Sequence, residues 1–544
     1  MKRVLCLLMT LCLLLTAVGC DRSTPPEDGT EAATDTPTTP QAPEVPIAPK
    51  RQSAEIHDKI FYLMVGQSRK LNYTLNPMEE GMAEGVEWIS SSDCVSIKDG
   101  EVTAQKEGYA IVSGGGLTTC VVRVIPTELP SMYVNMEVLK PITSKEIYVP
   151  CQISLETENT EFCFSDAPAG IRLRGNSTSS RPKKPYRIKF DDKRNLLGMN
   201  EGGEYKSWVL LADYYDLSMI RNSTCYSLAS MILNEYVTDW RYVNLYVYGS
   251  YAGVYLLAEQ SQIKEGRIDI EEAGAESGNL LSGYLFEMES SSTDPLVILN
   301  GADYTFTDFQ GVKRSIRNLR YELKNDGTSA EQEEFAAKYL QNVFLMLYYA
   351  TYKGVYFEFD ENYNVRLSSK TDVEEVISSI IDVDSFARKY VHTELICNWD
   401  DHQKSHYNSV DLSEGGTGLF TFCNPWDFDH AYFRFSDHSY QDPEAYFAAT
   451  RTVWYVMLLN HAFIRERVRD VWNEVTAKTD NFSAAMEMMK TVALTYTDDF
   501  DRDTERWDRE DIRLLEVAKI YTWMQTRIKW LDEQFNSDAF LIGG

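Results

Sequence analysis

The chain opens with a run of apolar residues. Positions 4–18 are apolar except for Thr10 and Thr16, and two basic residues precede them. This run has the length of a signal-peptide core and is too short to cross a membrane comfortably as a helix. Small residues lead directly into Cys20. The pattern predicts a lipoprotein signal peptide over residues 1–19 and an extracytoplasmic chain anchored to a bacterial membrane through lipidated Cys20, with a plain secretory peptide as the alternative.

Residues 20–52 have the composition of a flexible tether. Seven of the chain's 18 prolines fall between positions 21 and 50, with many Thr, Asp and Glu and almost no large apolar residue. Such a segment cannot bury enough apolar surface to fold, so it stays extended and solvated. We expect it to hold the folded part of the chain away from the membrane.

Short strand-like segments follow from about Phe61. Runs of four to six residues separated by turn residues predict a small β-sandwich over residues 53–128. The series Trp88…Ser-Ser-Ser…Val-x-Ile…Gly-x-Val-Thr-Ala…Gly-x-Ala-x-Val resembles the running order of bacterial Ig-like domains. That resemblance implies a spacer, with an adhesion module as the alternative.

Residues 133–544 mix strand and helix patterns. Strands dominate to about residue 290 and include a hairpin over 242–257. Helical spacing of apolar residues then takes over, in 330–352, 384–397 and 508–535. This order predicts an α+β domain compatible with two lobes, preceded by the small all-β sandwich.

Charge and cysteine content narrow the choice of partners. The chain carries 53 Lys and Arg against 82 Asp and Glu, a formal net charge of −29 at pH 7, which argues against a nucleic-acid partner. Seven cysteines follow Cys20 without any Cys-x-x-Cys spacing, so a cysteine zinc site is not expected. Export would permit disulfides, and Cys94 with Cys120 or Cys151 with Cys163 are candidate pairs that the sequence leaves open.

Basic residues concentrate in one segment of this acidic chain. Seven Lys and Arg residues lie within 172–189, around a polar turn whose hydroxyl and amide donors include Asn176 and Ser177. The turn lies between two predicted strands. A polar turn followed by lysines on the returning strand is how a kinase covers and neutralises nucleotide phosphates. A solvated basic hairpin is the alternative.

Two acidic segments follow strongly apolar elements. Residues 398–408 come after a helix predicted to end near Cys397, and residues 424–429 come after a strand. Carboxylates just beyond such elements lie at the edge of a cleft on rigid supports. Phosphoryl transfer needs one Asp at the acceptor hydroxyl, then an Asn and a second Asp at the magnesium ions. That order occurs as Asp400 or Asp401, then Asn408, then Asp427 with Asp429. Ordinary loops also contain Asp and Asn, so order alone is weak evidence.

Further blocks extend this pattern across residues 133–544. In chain order they are Arg174-Gly-Asn-Ser with Pro182-Lys-Lys-Pro-Tyr-Arg-Ile-Lys, Trp208-Val-Leu-Leu-Ala-Asp-Tyr-Tyr-Asp with Ile220-Arg-Asn, Tyr251-Ala-Gly-Val-Tyr-Leu-Leu-Ala-Glu-Gln, Gly283-Tyr-Leu-Phe-Glu, Asp384-Ser-Phe, Asn398-Trp-Asp-Asp and Trp426-Asp-Phe-Asp. So many blocks in one order are hard to reach by chance. Together they resemble the CotH family of spore-coat kinases.

The resemblance implies an atypical protein-kinase-like fold of two lobes. It implies transfer of the γ-phosphate of ATP to Ser or Thr hydroxyls with Mg²⁺, or with Mn²⁺ in its place. On the nucleotide side it implies phosphate contacts from Arg174 and from Lys183 or Lys184. It also implies that Glu259 lies near the nucleotide or pairs with a phosphate-binding lysine.

On the catalytic side, the resemblance implies that Asp400 is the catalytic residue, with Asp401 as the alternative. Asn408 and Asp427 would be metal ligands, and Asp429 a second ligand or a support. The segment from His402 to His406 departs from the family's spacing, which leaves the choice between the two adjacent aspartates open.

These expectations combine into a surface-tethered kinase that phosphorylates an exported or surface protein. A non-catalytic adhesion or scaffold protein is the alternative, as is a pseudokinase that binds nucleotide without transferring phosphate. His402 and His406 have the spacing of a helical zinc site, but Gln403 stands where a zinc hydrolase carries glutamate. Polar histidines lining an acidic loop are therefore the favoured interpretation.

Overall fold

The computed structural model describes residues 51–138, 140–433 and 439–543. The predicted signal peptide, the predicted lipidation site Cys20 and nearly all of the predicted tether lie outside these residues. The described residues form one compact unit. No helix among the described residues is long and apolar enough to cross a membrane.

An N-terminal β region occupies residues 51–125. Its strands are β1 (Arg51–Gln52), β2 (Ala54–Ile56), β3 (Ile60–Met64), β4 (Ser68–Lys70), β5 (Tyr73–Leu75), β6 (Ala83–Val86), β7 (Ile89–Ser90), β8 (Val95–Lys98), β9 (Glu101–Ala104), β10 (Gly108–Ser113) and β11 (Thr119–Ile125). Two sheets, in the orders β3-β11-β10-β7 and β4-β9-β8, carry most of the region. Alternate residues such as Ala110 and Val112 in β10 are fully buried, as the period of two in a half-buried strand requires.

A closed barrel of seven strands follows. The strands are β12 (Ser131–Asn135), β13 (Val149–Glu156), β14 (Phe164–Leu173), β15 (Tyr186–Arg194), β16 (Tyr205–Leu211), β17 (Trp240–Val247) and β18 (Ser250–Glu259). Their order is β12-β13-β14-β15-β16-β18-β17, and parallel pairing of β12 with β17 closes the barrel. The hairpin predicted over 242–257 is present as β17 and β18. Closure pairs the edge strands, which fixes the loops at the barrel's ends.

A five-stranded sheet and several short hairpins make up the next part of the chain. The strands are β19 (Gly283–Glu289), β20 (Val297–Leu299), β21 (Phe306–Thr307), β22 (Lys313–Arg314), β23 (Leu319–Leu323), β24 (Phe357–Phe359), β25 (Val365–Leu367), β26 (Lys404–Asp411) and β27 (Thr421–Cys423). The large sheet has the order β20-β23-β19-β26-β27. It is antiparallel throughout, and its neighbours β19 and β26 come from distant parts of the chain.

Helices surround this sheet and form the C-terminal part. They are α1 (Arg221–Ile232), α2 (Ala330–Lys353), α3 (Val373–Ser378), α4 (Val383–Ile396), α5 (Val453–Leu458), α6 (Ala462–Thr479), α7 (Ser483–Thr495), α8 (Thr497–Arg506), α9 (Arg513–Phe535) and α10 (Asp538–Ile542). The three predicted helices correspond to α2, α4 and α9. A capping box of Ser329 and Gln332 starts α2, and left-handed Gly354 ends it. The mixed α/β architecture confirms the coarse fold class predicted from the sequence.

The N-terminal β region packs directly against the barrel and helices. Tyr62 stacks on Trp240 with 5.7 Å between ring centroids, and Arg123 forms a buried ion pair with Asp239 at 3.1 Å. Ile60 belongs to the same buried apolar cluster as the residues of α1. One face of the β region thus joins the large apolar cluster, whereas Phe61, Val112 and Val122 belong to a separate cluster inside the region. The division predicted between residues 128 and 133 stays a prediction.

All seven cysteines among the described residues are free, so neither candidate disulfide is formed. Only Cys163 is exposed, and the buried ones are Cys94, Cys120, Cys151, Cys225, Cys397 and Cys423. Their burial in apolar surroundings is typical of small hydrophobic residues with no redox task.

Candidate active site

A cleft with a cavity volume of about 100 Å³ lies between the barrel and the five-stranded sheet. Its walls come from the loops after β14 and β16, from α1 and β19, and from the segments after α4 and β27. Six of the eleven predicted site residues line it: Arg174, Asn176, Ser177, Asp400, Asp427 and Asp429. The structure thus brings the predicted phosphate-binding turn opposite the predicted catalytic and metal-binding aspartates.

The turn after β14 forms one wall of the cleft. Gly175 has φ +79°, and a Cβ there would come within 2.4 Å of the Thr178 hydroxyl, so this turn requires glycine. Asn176 donates a hydrogen bond to Glu289 Oε2 at 2.9 Å, and the Arg174 guanidinium lies 5.4 Å from the Trp426 ring centroid. These contacts aim a cationic, donor-rich turn into the cleft.

The opposite wall is built from strained backbone. Asp213, Cys397, Ser405, Asn424 and Asp427 all have φ between +42° and +61°, which non-glycine residues rarely adopt. Three of the five line the cleft, and the other two lie in the segments that lead into it. Strain of this kind concentrates at functional sites, where surrounding packing holds side chains in set directions.

Asn222 on α1 joins two of the carboxylates. Its amide nitrogen donates to Asp213 Oδ1 and to Asp429 Oδ1, each at 2.7 Å, while its oxygen accepts from the Phe428 N–H at 2.9 Å. Every polar atom of this buried amide is used, so its orientation is fixed. Asn222 therefore holds the two carboxylates side by side.

Burial and like charge set the acidity of these carboxyl groups. Burial, together with the neighbouring Asp427, raises the pKa of Asp429 to about 7. Burial also raises the pKa of Asp400 to about 6, although Lys404 opposes the shift from 3.0 Å away. Burial and Asp429 raise the pKa of Asp213 well above its ordinary value. A cation in the cleft would relieve this repulsion.

Asp401 points away from the cleft. Its Oδ1 lies 3.0 Å from His406 Nδ1, and its Oδ2 accepts from the Thr452 hydroxyl at 3.3 Å. Burial alone would raise the pKa of Asp401, but His406 and nearby Lys389 hold it below its ordinary value. Of the two candidates for the catalytic aspartate, the structure places only Asp400 in the cleft.

Lys183 and Lys184 do not line the cleft either. The ammonium group of Lys183 is fully buried, 2.8 Å from Asp503 Oδ1, and donates to the Val254 carbonyl at 2.6 Å. The Lys184 ammonium donates to the Ser179 carbonyl at 2.9 Å. Both lysines therefore hold parts of the protein, and Arg174 remains the predicted basic residue that faces the cleft.

Glu259 and Asn408 also lie elsewhere. Glu259 is buried against Arg267, with 3.1 Å between Oε1 and Nε, at the end of β18. Asn408 lies in the middle of β26, on the face that carries His406, and its amide has no hydrogen-bond partner among the described residues. The register of β26 places this side chain on the face opposite Tyr407, whose paired residue Glu287 lines the cleft. We therefore assign neither residue to the cleft.

Several cleft residues were not assigned a role from the sequence. They are Asp213, Asn222, Glu287, Glu289, Lys404 and Ser405. Asp213, Asn222 and Glu287 fall within the sequence blocks that resemble the CotH family, which was the available signal. Lys404 follows Asp400 by four residues, and nothing in the sequence shows that the two side chains meet.

The donor set fits a magnesium ion shared with a nucleotide. Among the described residues, no three His, Cys, Asp or Glu side chains are grouped to hold a metal by themselves. Magnesium at phosphoryl-transfer sites is commonly held by one or two carboxylates plus substrate phosphates, and Asp427 and Asp429 could supply those carboxylates. The histidine zinc site is not formed, since His402 lies in a 3₁₀ turn and His406 in β26.

Comparison with known proteins identifies the family. No curated protein matches the chain. The family described as CotH kinase protein matches residues 171–531, which run from β14 into α9 and include every residue that lines the cleft. The chain therefore belongs to the CotH kinase family.

Proposed function

We propose that this protein is an atypical kinase that transfers the γ-phosphate of ATP to Ser or Thr residues of an exported or surface protein. The observation that carries the proposal is the convergence of Arg174 and its donor-rich turn with Asp400, Asp427 and Asp429 on one cleft. Phosphoryl transfer depends mainly on positioning and charge stabilisation, and these side chains are suited to both tasks.

In the proposed reaction, the acceptor hydroxyl oxygen bonds to the γ-phosphorus while the bond to the β–γ bridging oxygen breaks and ADP leaves. Asp400 takes the hydroxyl proton, and its pKa of about 6 leaves it ionised yet basic near neutral pH. Lys404 stabilises that ionised form. Arg174 and the donors of Asn176 and Ser177 bind the phosphates.

Asp427 and Asp429 would hold the divalent ion, Mg²⁺ or Mn²⁺. Such an ion neutralises charge on the β- and γ-phosphates when bound. Asn222 fixes Asp429 at 2.7 Å, which keeps this carboxylate facing the cleft before nucleotide arrives. A site prepared in this way loses less entropy on binding.

A labelling experiment tests the proposal. The purified protein is incubated with γ-labelled ATP and Mg²⁺ or Mn²⁺, beside the Asp427→Ala variant and the control Asp442→Ala, which alters an exposed aspartate outside the cleft. We expect label on the protein or on an added Ser- and Thr-rich acceptor with the wild type and the control only. Phosphoamino-acid analysis of the product then identifies Ser or Thr.

The other outcomes separate the alternatives. Metal-dependent ATP binding without label would identify a pseudokinase. Absence of both label and binding would favour a surface adhesion or scaffold protein, in which the N-terminal β region acts as an Ig-like module.

The location outside the membrane belongs to the same proposal. Its support is the apolar run over residues 4–18 that ends in small residues before Cys20. Labelled palmitate should be incorporated into the protein in bacterial cells, and Cys20→Ala should prevent it. Incorporation that persists in this variant would exclude Cys20 as the anchor.

A further inference from the structure

We propose that Asp503 and Arg509 form a positioning clamp that holds the two walls of the cleft in register for nucleotide binding. Asp503 lies on α8, and Arg509 follows that helix in the chain. Neither side chain lines the cleft. The inference rests on the proposed function, because it assigns these residues to ATP binding at that same site.

The Asp503 carboxylate is fully buried and both of its oxygens are used. Oδ1 accepts from the Val254 N–H at 2.8 Å and lies 2.8 Å from Lys183 Nζ. Oδ2 accepts from Arg509 Nη2 at 2.7 Å. One carboxylate from the C-terminal helices therefore joins strand β18, the segment between β14 and β15, and Arg509.

Gly253 on β18 makes this approach possible. It has φ +119°, and a Cβ at this position would lie 2.2 Å from Asp503 Oδ1 and 2.9 Å from Trp507 Nε1. No side chain fits between the strand and α8, so glycine lets the carboxylate reach the buried lysine. Asp503 thus supplies the negative charge that pairs with Lys183, and Gly253 leaves the space for that carboxylate.

The first arm of the clamp ends at the phosphate-binding turn. Lys183 lies in the segment that returns from this turn to β15. The next two residues tie that segment down, because the Lys184 carbonyl accepts from the Tyr255 hydroxyl at 3.0 Å and the Pro185 carbonyl accepts from the Arg174 N–H at 3.2 Å. Fixing Lys183 therefore fixes the base from which Arg174 faces the cleft.

The second arm ends at the acidic wall. Arg509 Nη1 donates to the Asp213 carbonyl at 3.3 Å, while its Nη2 holds Asp503. Asp213 has φ +46°, so this contact supports a strained residue. The Asp213 carboxylate in turn shares the Asn222 amide with Asp429. Arg509 therefore connects the clamp to the residues that would hold the metal ion.

The test compares ATP kinetics of the full chain with those of Asp503→Asn. The asparagine keeps an acceptor for the Val254 N–H but removes the charge that holds Lys183 and Arg509. We expect the KM for ATP to rise by about tenfold or more while kcat per folded molecule changes far less, since the lost contacts position a binding wall. A purely structural ion pair would lower the melting temperature without this split.

Two further variants complete the design. Asp501→Asn is the matched control, because Asp501 lies on the same helix and also pairs with an arginine. Its Oδ1 lies 3.0 Å from Arg513 Nη2, and this pair does not line the cleft. Arg509→Lys keeps the charge beside Asp503 but cannot also reach the Asp213 carbonyl. We expect the control to keep the wild-type KM and Arg509→Lys to raise it about threefold or more.

Each outcome decides the proposal. A folded Asp503→Asn protein with the wild-type KM would overturn the clamp, and if that variant does not fold, an unchanged KM in Arg509→Lys would do the same. Calorimetric affinities for ATP with Mn²⁺ are measured on all variants in parallel. A wild type that binds ATP without transferring phosphate contradicts the proposed function alone, and the affinities then test the clamp. A wild type that does not bind ATP contradicts both.

Discussion

Asp400 and Asp401 are neighbours in the chain, yet their carboxylates face different parts of the molecule. Asp400 faces the cleft beside Lys404, whereas Asp401 faces the interior beside His406 and Thr452. A single 3₁₀ turn over 400–402 separates their directions. We therefore expect Asp400 to act in the reaction and Asp401 to stabilise the fold.

Paired substitutions distinguish the two residues. Asp400→Asn should lower kcat by about 10²–10⁴-fold, because it removes the proposed proton acceptor. Asp401→Asn should instead lower the free energy of unfolding by about 3 kcal/mol, because it breaks a buried charged contact. Activity per folded molecule and urea unfolding curves measure these effects. Loss of activity in folded Asp401→Asn, with Asp400→Asn still active, would reverse the assignment.

Lys404 should set the pH range of activity. Its ammonium group lowers the pKa of Asp400, which burial has raised to about 6. Lys404→Met should therefore raise the pKa of Asp400 further and move the acidic limb of the pH profile of kcat/KM to higher pH. Lys404→Arg keeps the positive charge, so its acidic limb should stay near the wild-type position. A limb that does not move in Lys404→Met would show that another group controls it.

At the scale of elements, the junction between β10 and the barrel contains a buried carboxyl group. Glu107, just before β10, accepts a hydrogen bond from the Thr157 hydroxyl at 2.6 Å through Oε2, while Oε1 has no hydrogen-bond partner among the described residues. Burial raises the pKa of Glu107 from 4.5 to about 7, against the opposing effects of Thr157 and Arg241. Its protonated form therefore fits the folded junction better than its ionised form.

This shift gives a pH dependence with a definite sign. The contribution of Glu107 to stability is fully present below pH 4.5 and is lost as the pH rises through about 7, because only the unfolded state releases the proton in that window. As the pH rises from 4.5 to about 7, the free energy of unfolding of Glu107→Gln should therefore increase by about 3 kcal/mol relative to that of the wild type. Urea unfolding across the pH range measures it.

The matched control for that prediction is Glu161→Gln. Glu161 lies at the same junction, where it pairs with Lys106 at 2.9 Å, but it is exposed. The control should keep the wild-type pH dependence. If the free energy of unfolding of Glu107→Gln depends on pH as that of the wild type does, Glu107 is ionised in the folded protein.

Over the whole molecule, the apolar cluster that contains Ile60, Tyr62 and Met64 joins one face of the N-terminal β region to the barrel and the helices. Tyr62 stacks on Trp240 and its hydroxyl accepts from Arg123 at 3.0 Å. Tyr62→Ala should lower the stability of the whole described unit by about 3–5 kcal/mol in one cooperative transition. Tyr73→Ala, which loses contact with Trp88 inside the β region, serves as control. Hydrogen exchange should show a larger acceleration of barrel opening in Tyr62→Ala than in Tyr73→Ala, and a barrel that stays protected in Tyr62→Ala would contradict a single folding unit.

The sequence predicts local structure well because periodicity reports local burial. The apolar spacing of α2 and the hairpin of β17 and β18 follow from it. The roles of Arg174 and Asp400 are implied instead by the resemblance to the CotH family, which leaves Asp401 as the alternative. Long-range geometry does not follow. The contact of Asn222 with Asp429 spans 207 residues, and the face on which Asn408 lies depends on strand register after the left-handed Ser405. No pattern within a short segment of the sequence predicts the contact between Asn222 and Asp429 or the face on which Asn408 lies.

The exposed thiol of Cys163 has a practical consequence for observing this molecule. Burial raises the pKa of the thiols of Cys151 and Cys225, for example, so few of them are reactive thiolates near neutral pH. Among the described cysteines, a maleimide dye should therefore attach to Cys163 in the native protein. That position follows the short turn that contacts Lys106 of the N-terminal β region. A fluorophore there would report separation of the two parts in real time without an engineered cysteine.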